Sequence, residues 1–521
     1  MPSWTSSLRD IYCRFDRRVL AVFRVALGIV LVYDLGRRFP DAALLWSSDG
    51  VLSSLALKKV PQANHQTSFL LALSSGSSVK LAFAGLGVVF VLYGLGLFTR
   101  PMQILALLGY ASLNARNLFF EDGGTCLVIL LLSWTLLLPL GDRYSLDALR
   151  RDAAMPTVKA RVAARAAART PLITLAALGV LLQAAVIYWF NAVHKSGSTW
   201  RAGDAVHLVL WQHRVNTPFA LWFAAHEPTW FSPLSTWLTK RTEFVLPILL
   251  LWPSYPTKSR PLAFVLAVLL HGGIALCLTL GPFSYAMICL LWLAVPGQTL
   301  DALSSRRWHA GARAWWRAAR YRARSVRALQ RAGLAARALP QALRAWLGAG
   351  RLVPLREGLL GLMLLIEGAS VLASNRAVPS SLRIAPRPWL ELYKPYLRGF
   401  QGWSMFAPDA PRDDGTMVVD ATTVGGRHVD PFTGQAPNWS QIREGLAPHS
   451  IALSDYFFAM RDPRRSRYRT DLHRYLKKLP ASSPSERLRY VEFWWVSYVP
   501  PPRGSYTPGP LKRERLWRVR L

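Results

Sequence analysis

Acidic residues, lysine and cysteine are scarce in this chain. Of its 521 residues, 29 are Asp or Glu against 63 Lys or Arg, a formal balance of +34, and only 11 of the cations are lysine. The four cysteines, Cys13, Cys126, Cys277 and Cys289, form no C-x-x-C pair, which excludes a disulfide framework and a thiolate zinc site. His207, His213 and His226 stand six and thirteen residues apart, spacings that fit no compact ligand motif, so no metal is expected. No repeat of solenoid length is visible, and nothing resembles the inverted repeat of a transporter. What is present is apolar: 52% hydrophobic residues, 12% aromatic, 21 of them Trp. That excludes low-complexity disorder. A soluble protein this basic would dilute its apolar fraction, so the combination points to lipid and away from a simple nucleic-acid binder.

Apolar stretches near the roughly 20 residues that a bilayer demands fall at 19–36, 79–99, 101–118, 124–141, 171–193, 243–256, 261–281, 282–297 and 354–374. The expected fold is therefore an all-α polytopic membrane bundle of about nine transmembrane helices, covering 1–300 and 353–375. The first run follows Arg9, Arg14, Arg17 and Arg18 and lacks a small-residue cleavage site, so it reads as a retained anchor. Basic loops belong on the cytoplasmic side. Placing the N-terminus inside also puts 142–170 and 298–352 inside, and leaves 37–78, 119–123, 194–242 and 376–521 outside. The loop at 301–352 alternates arginines from Arg306 to Arg351 with Trp308, Trp315, Trp316, Leu329 and Leu334, the pattern of an amphipathic helix lying on the anionic inner leaflet of a plasma or inner membrane. Beyond about Val378 the text alternates instead, as in MVVDATTV at 417–424, a Gly425-Gly426 turn, RHVD at 427–430 and RYVEFWWVSYV at 489–499. That predicts a hairpin in a C-terminal β-rich extramembrane domain, with helical pieces near 451–479.

Ionisable side chains within spans are costly and are candidates for function. Arg24 and Asp34 lie on the first span, Glu243 opens the sixth and His271 lies deep in the seventh. Each has a structural alternative: an interhelical bridge for Arg24, a span end for Asp34 and Glu243, a packing hydrogen bond for His271. The densest constellation is YWFNAVHKSGSTWRAGDAVH at 188–207, where His194 and Lys195 follow the fifth span and Trp200 the turn after it. Partial desolvation there favours the neutral amine and suits Lys195 to act as a base. The alternative is an interfacial lysine that snorkels to phosphate.

Five segments carry a family resemblance: VFRVALGIVLVYD at 22–34, GLFTRPMQIL at 96–105, PLGDRYSLDAL at 139–149, IYWFNAVHKSGSTWRAG at 187–203 and HGGIALCLTLGPFSYAM at 271–287. In that order they resemble the vitamin K-dependent γ-carboxylase-like family, known in bacteria as the horizontally transferred transmembrane (HTTM) domain, over about residues 15–300. GWSMFAP at 402–408 is similar to the extension found beyond it in bacterial relatives. The resemblance implies that Lys195 is the catalytic base toward a reduced, vitamin K-like lipid quinone, with O2 and CO2 as co-reactants, and that His271 is its catalytic partner. His194, Trp200, Asn117 and Tyr285 would surround the substrate, while Arg24, Asp34 and Glu243 would be structural. The sequence departs from the family after the third span. There NARNLFFEDGGTC offers Asn114, Asn117, Glu121 and Asp122 but not the histidine that the carboxylases need for the second half of their chemistry. A non-enzymatic scaffold or maturation factor that presents the C-terminal domain to an exported protein or peptide is the alternative.

Overall fold

In the computed structural model the described residues are 4–58, 68–120, 122–155, 157–167, 169–304, 318, 352–385, 401–444 and 449–521. The chain is mostly helical. Nine helices occupy the nine apolar runs: α1 (Arg17–Arg38), α2 (Gly76–Leu95), α3 (Thr99–Arg116), α4 (Gly123–Thr135), α5 (Leu175–His194), then, after the short α6 (Ser198–Ala202), α7 (Ala205–Leu210) and α8 (Pro218–Ala224), α9 (Phe231–Leu251), α10 (Pro256–Cys277), α11 (Phe283–Leu293) and α12 (Leu352–Ser374). Five of them, α1, α2, α5, α10 and α12, are long and apolar enough to cross a membrane, which fits a multi-pass membrane protein. The apolar α4 and α11 are shorter, 13 and 11 residues. The fourth apolar run stops being helical before Pro139 and the eighth before Pro296, because the residue ahead of a proline is pushed out of the helical region.

The sixth segment is displaced from its expected place. The run 243–256 is only the apolar end of a 21-residue helix that begins twelve residues earlier, at Phe231. Glu243 therefore lies in mid-helix and does not open it. The sequence hides this because the first half of α9, FSPLSTWLTKRT, is polar enough to read as a loop. Pro247 interrupts the same helix and removes the N–H that would bond the Glu243 carbonyl four residues back.

Successive helix ends gather at opposite ends of the bundle. At one end Tyr12 donates to the carbonyl of Leu251 (2.7 Å), Arg260 to Ile11 (2.9 Å) and Arg18 to Gly297 (3.1 Å). The other end carries residues 401–444 and 449–521, through Asp471 accepting from the backbone and hydroxyl of Ser53 (2.9 and 2.6 Å), Asn191 accepting from Met405 N (2.8 Å) and Tyr498 donating to the Trp211 carbonyl (2.7 Å). Apart from Ala318, the Arg-rich stretch Arg306–Arg351 lies outside the described residues, as does Glu121.

The C-terminal region is built on a four-stranded antiparallel sheet of order β2-β1-β3-β4, with β1 Asp414–Thr423, β2 His428–Val429, β3 Leu488–Tyr498 and β4 Lys512–Arg520. The Gly-Gly hairpin forms where expected, pairing Ala421 with Val429, and Gly426 takes φ 85°, which a β-carbon would oppose. Two helices, α13 (Ile451–Arg461) and α14 (Arg469–Lys477), fall in the 451–479 stretch, and α13 buries Tyr456, Phe457 and Met460 in a core shared with Val419 and Phe493 of the sheet.

Candidate functional site

Lys195 is the C-cap residue of α5 and is buried to 3% exposure. It does not snorkel. Its ammonium nitrogen donates to both carboxylate oxygens of Glu243, to Oε1 at very short range and to Oε2 at 2.6 Å, and stands 4.9 Å from the centroid of the Trp200 ring. Lys240, one turn before Glu243 on α9, donates to the Lys195 carbonyl (2.7 Å), satisfying an orphan acceptor at the end of α5. Glu243, expected to be a lone structural residue, is thus the partner of the candidate base.

Two helical turns back on α5, on the same face, the Tyr188 hydroxyl meets His271 Nε2 at 2.8 Å. His271 is buried against the edge of Phe283, with ring centroids 5.6 Å apart. Because Tyr188 and Lys195 lie seven residues apart along α5, the two pairs sit on one side of that helix. Only His271 Nδ1 is left over: it is buried and has no hydrogen-bond partner among the described residues. If Tyr188 donates to Nε2, Nδ1 carries the ring hydrogen and is a donor with nothing to donate to. His194 repeats the motif nearby, with Nδ1 2.8 Å from the Trp403 carbonyl and Nε2 buried and unpartnered among the described residues. His271 Nδ1, a donor, and His194 Nε2, an acceptor because Nδ1 donates to the Trp403 carbonyl, are the hydrogen-bonding atoms that these residues leave for a ligand.

The turn that carries Lys195 is pinned from the C-terminal region. Gly197 N donates to Pro408 O (2.8 Å), and a β-carbon at Gly197 would come within 2.2 Å of the Asp409 carboxyl carbon. Asp409 accepts from the backbone (2.7 Å) and hydroxyl (2.9 Å) of Thr199, and the Trp200 indole donates to the Phe406 carbonyl (2.8 Å). Behind it lies a buried network. Gln401 exchanges hydrogen bonds with Gln183 of α5 (2.9 and 3.0 Å) and donates to Glu367 of α12 (2.5 Å), while the Trp403 indole donates to the Gln401 side chain (2.8 Å).

The remaining candidates are elsewhere. Arg24 is fully buried and donates to the carbonyls of Gly94 (3.1 Å), Leu140 (2.8 Å), Arg143 (3.3 Å) and Tyr144 (2.6 Å); it bridges carbonyls, not a carboxylate. Asp34 accepts from Tyr110 (2.8 Å) and pairs with Arg37 (2.9 Å) and Arg38 (2.6 Å). Asn117 caps α3 and donates to the Leu45 carbonyl (2.9 Å). Tyr285 is 40% exposed and edge-on to Tyr33 of α1. Among the described residues, neither Asn117 nor Tyr285 makes a hydrogen bond or ring contact with Lys195 or His271. Sequence reading missed Tyr188, Gln183, Glu367 and Gln401. For Tyr188 the signal was available, as its spacing of seven from Lys195 sets both on one helical face; the other three depend on partners distant in sequence.

No group of three or more His, Cys, Asp or Glu that could hold a metal ion occurs among the described residues. In comparisons with known proteins, no family model, no curated protein and no solved structure matches the chain.

Proposed function

We propose that the chain is a multi-pass enzyme of the vitamin K-dependent γ-carboxylase-like (HTTM) type, which crosses a plasma or inner membrane nine times, keeps its N-terminus cytoplasmic and acts on a reduced lipid quinone at the outer face. The observation that carries this reading is the buried Lys195–Glu243 pair beside the Tyr188–His271 pair. A buried ion pair is often no more stabilising than apolar side chains of the same volume, so stability alone is a weak reason to keep one. When bound, a reduced quinone with O2 supplies a base stronger than any side chain, and CO2 supplies a carboxyl group. The chain's own part is proton handling. The resting pair shares one proton; with that proton on Glu243, the neutral Lys195 Nζ accepts a second one from the quinol, Glu243 hydrogen-bonds the ammonium so formed, and His271, held by Tyr188, uses Nδ1 to orient a headgroup oxygen. Trp200 closes the cation against its ring. The proposal stops at this quinone-directed half of the chemistry, since the stretch after α3 lacks the second histidine.

Arg306–Arg351 is proposed to hold the anionic inner leaflet, and no nucleic-acid partner is invoked. A second reading, a scaffold that presents residues 401–521 to an exported protein, is favoured by the Gln183–Gln401–Glu367 network and the Asp471–Ser53 contact, which fasten that region to the bundle. Oxygen uptake by the protein in lipid nanodiscs separates the two. The enzyme consumes oxygen only with reduced quinone, and the Lys195→Met, Glu243→Gln double variant does not; equal uptake by both proteins rejects the base. A reporter fused at Leu521 checks the orientation and is active only outside the cytoplasm, whereas cytoplasmic activity breaks the nine-crossing arrangement.

A further inference from the structure

The strand β4, sequence KRERLWRVR, is the edge of its sheet and is mostly exposed. It pairs with β3 as Arg513 opposite Val496, Arg515 opposite Trp494, Arg518 opposite Glu492 and Arg520 opposite Tyr490, with a register shift between Phe493 and Trp494. Strict alternation would send 513 and 515 to one face and 518 and 520 to the other. The bulge at Leu516 inserts one residue and returns all four arginines to the same face. Three of them are held there by aromatic rings. Arg513 lies 4.8 Å from the Trp439 ring centroid, Arg515 5.8 Å from Trp494 and Arg518 3.8 Å from Tyr490. The row already holds one carboxylate: Glu492 sits between Arg515 (3.1 Å) and Arg518 (3.5 Å). Arg513 and Arg520 have no carboxylate partner among the described residues, nor does any backbone group there pair with the outer edge of β4.

We propose that this edge docks an extended acidic polypeptide segment as a fifth strand. Two features select that partner together. A free strand edge is satisfied by another backbone, which neither a lipid headgroup nor a free anion provides. The arginine row then requires Asp or Glu at alternate positions, since every second side chain of an added strand projects over the same face. Basic edges usually deter pairing; here they deter neutral or basic strands and admit an acidic one. The inference is independent of the quinone site.

The test is fluorescence anisotropy with the full-length protein in neutral-lipid nanodiscs and a labelled octapeptide of alternating Glu and Thr. The alternating peptide should bind. Its Gln-Thr counterpart, and the Glu-Thr peptide N-methylated on one backbone edge, should each bind at least about tenfold more weakly. Arg513→Glu with Arg520→Glu, two exposed residues outside the Glu492 pairings, should weaken the acidic peptide by a similar factor while leaving the protein's thermal unfolding unchanged. Anionic vesicles should not displace the peptide. Undiminished binding of the N-methylated peptide, displacement by vesicles or indifference to the double charge reversal would overturn the proposal, and the first two would reassign the row to a purely electrostatic surface. Should the double variant misfold, the N-methylated and Gln-Thr peptides on the unaltered protein decide the matter.

Discussion

Arg24 and Lys195 are buried cations at opposite ends of the helical bundle, and sequence patterning marks both as suspicious. Their surroundings differ. The Arg24 guanidinium meets four backbone carbonyls where α2 ends and the chain after α4 turns back, so all of its work is to hold those segments together. Lys195 meets a single carboxylate, beside a histidine whose second ring nitrogen is unpartnered among the described residues. A buried charge alone therefore does not identify a site. Unspent hydrogen-bonding capacity next to it does.

Truncating the two cations should break this comparison in different ways. The largest effect is expected for Lys195→Ala, which strands Glu243 in the interior at a cost of about 3–5 kcal/mol. Thermal unfolding in detergent should show that loss, and adding Glu243→Gln should restore most of it without restoring quinol-dependent oxygen uptake. Recovery of uptake along with stability would make Lys195 a packing residue. Arg24→Met should destabilise by about 3 kcal/mol through its unmet carbonyls, and the folded fraction, measured at low temperature, should keep full quinone binding. Tyr188→Phe removes one hydrogen bond and should cost about 1–2 kcal/mol, but it should also weaken quinone binding by freeing the His271 ring; unchanged binding would remove His271 from the site.

The smallest effect is a pH dependence where buried His207 of α7 meets the C-terminal region. His207 has acceptors at both ring nitrogens, Glu227 at 2.6 Å and the Pro501 carbonyl at 2.8 Å. Burial disfavours its charge, but these acceptors prevail and hold the imidazolium above the ordinary histidine value of 6.5. The contact is complete below that value and is lost as pH rises through the raised one. The protection of residues 499–506 against hydrogen exchange, after correction for the base catalysis of exchange itself, should fall on going to alkaline pH, and Glu227→Gln should abolish the fall. A corrected protection independent of pH in the unaltered protein would show that His207 stays neutral.

Much of the architecture was legible because lipid imposes long apolar runs and β-hairpins impose alternation: α1, α2, α5, α10 and α12 fall where hydropathy puts them, and the Gly425-Gly426 turn joins the strands that flank it. The start of α9 was not, because FSPLSTWLTKRT owes its helicity to neighbours such as α7, where Ser232 and Thr236 accept from the backbone of His207 and Val206. Lys195 and His271 could be singled out by their cost in an apolar setting. Glu243 stood out on the same ground and Tyr188 shares a helical face with Lys195, but the pairings themselves could not be read, since they depend on how α9, α10 and α5 pack; Asn117 and Tyr285 were carried in by resemblance and are occupied elsewhere.

The cluster of Lys195, Glu243, Tyr188 and His271 is proposed to hold a lipid quinone, and mass spectrometry of the lipids that copurify with the protein tests this most directly. One quinone-class lipid should accompany the unaltered protein in near-stoichiometric amount and be lost from the folded Lys195→Met, Glu243→Gln variant, with Arg24→Met retaining it. Phospholipid alone in all three samples, or the same quinone content in all three, would contradict it.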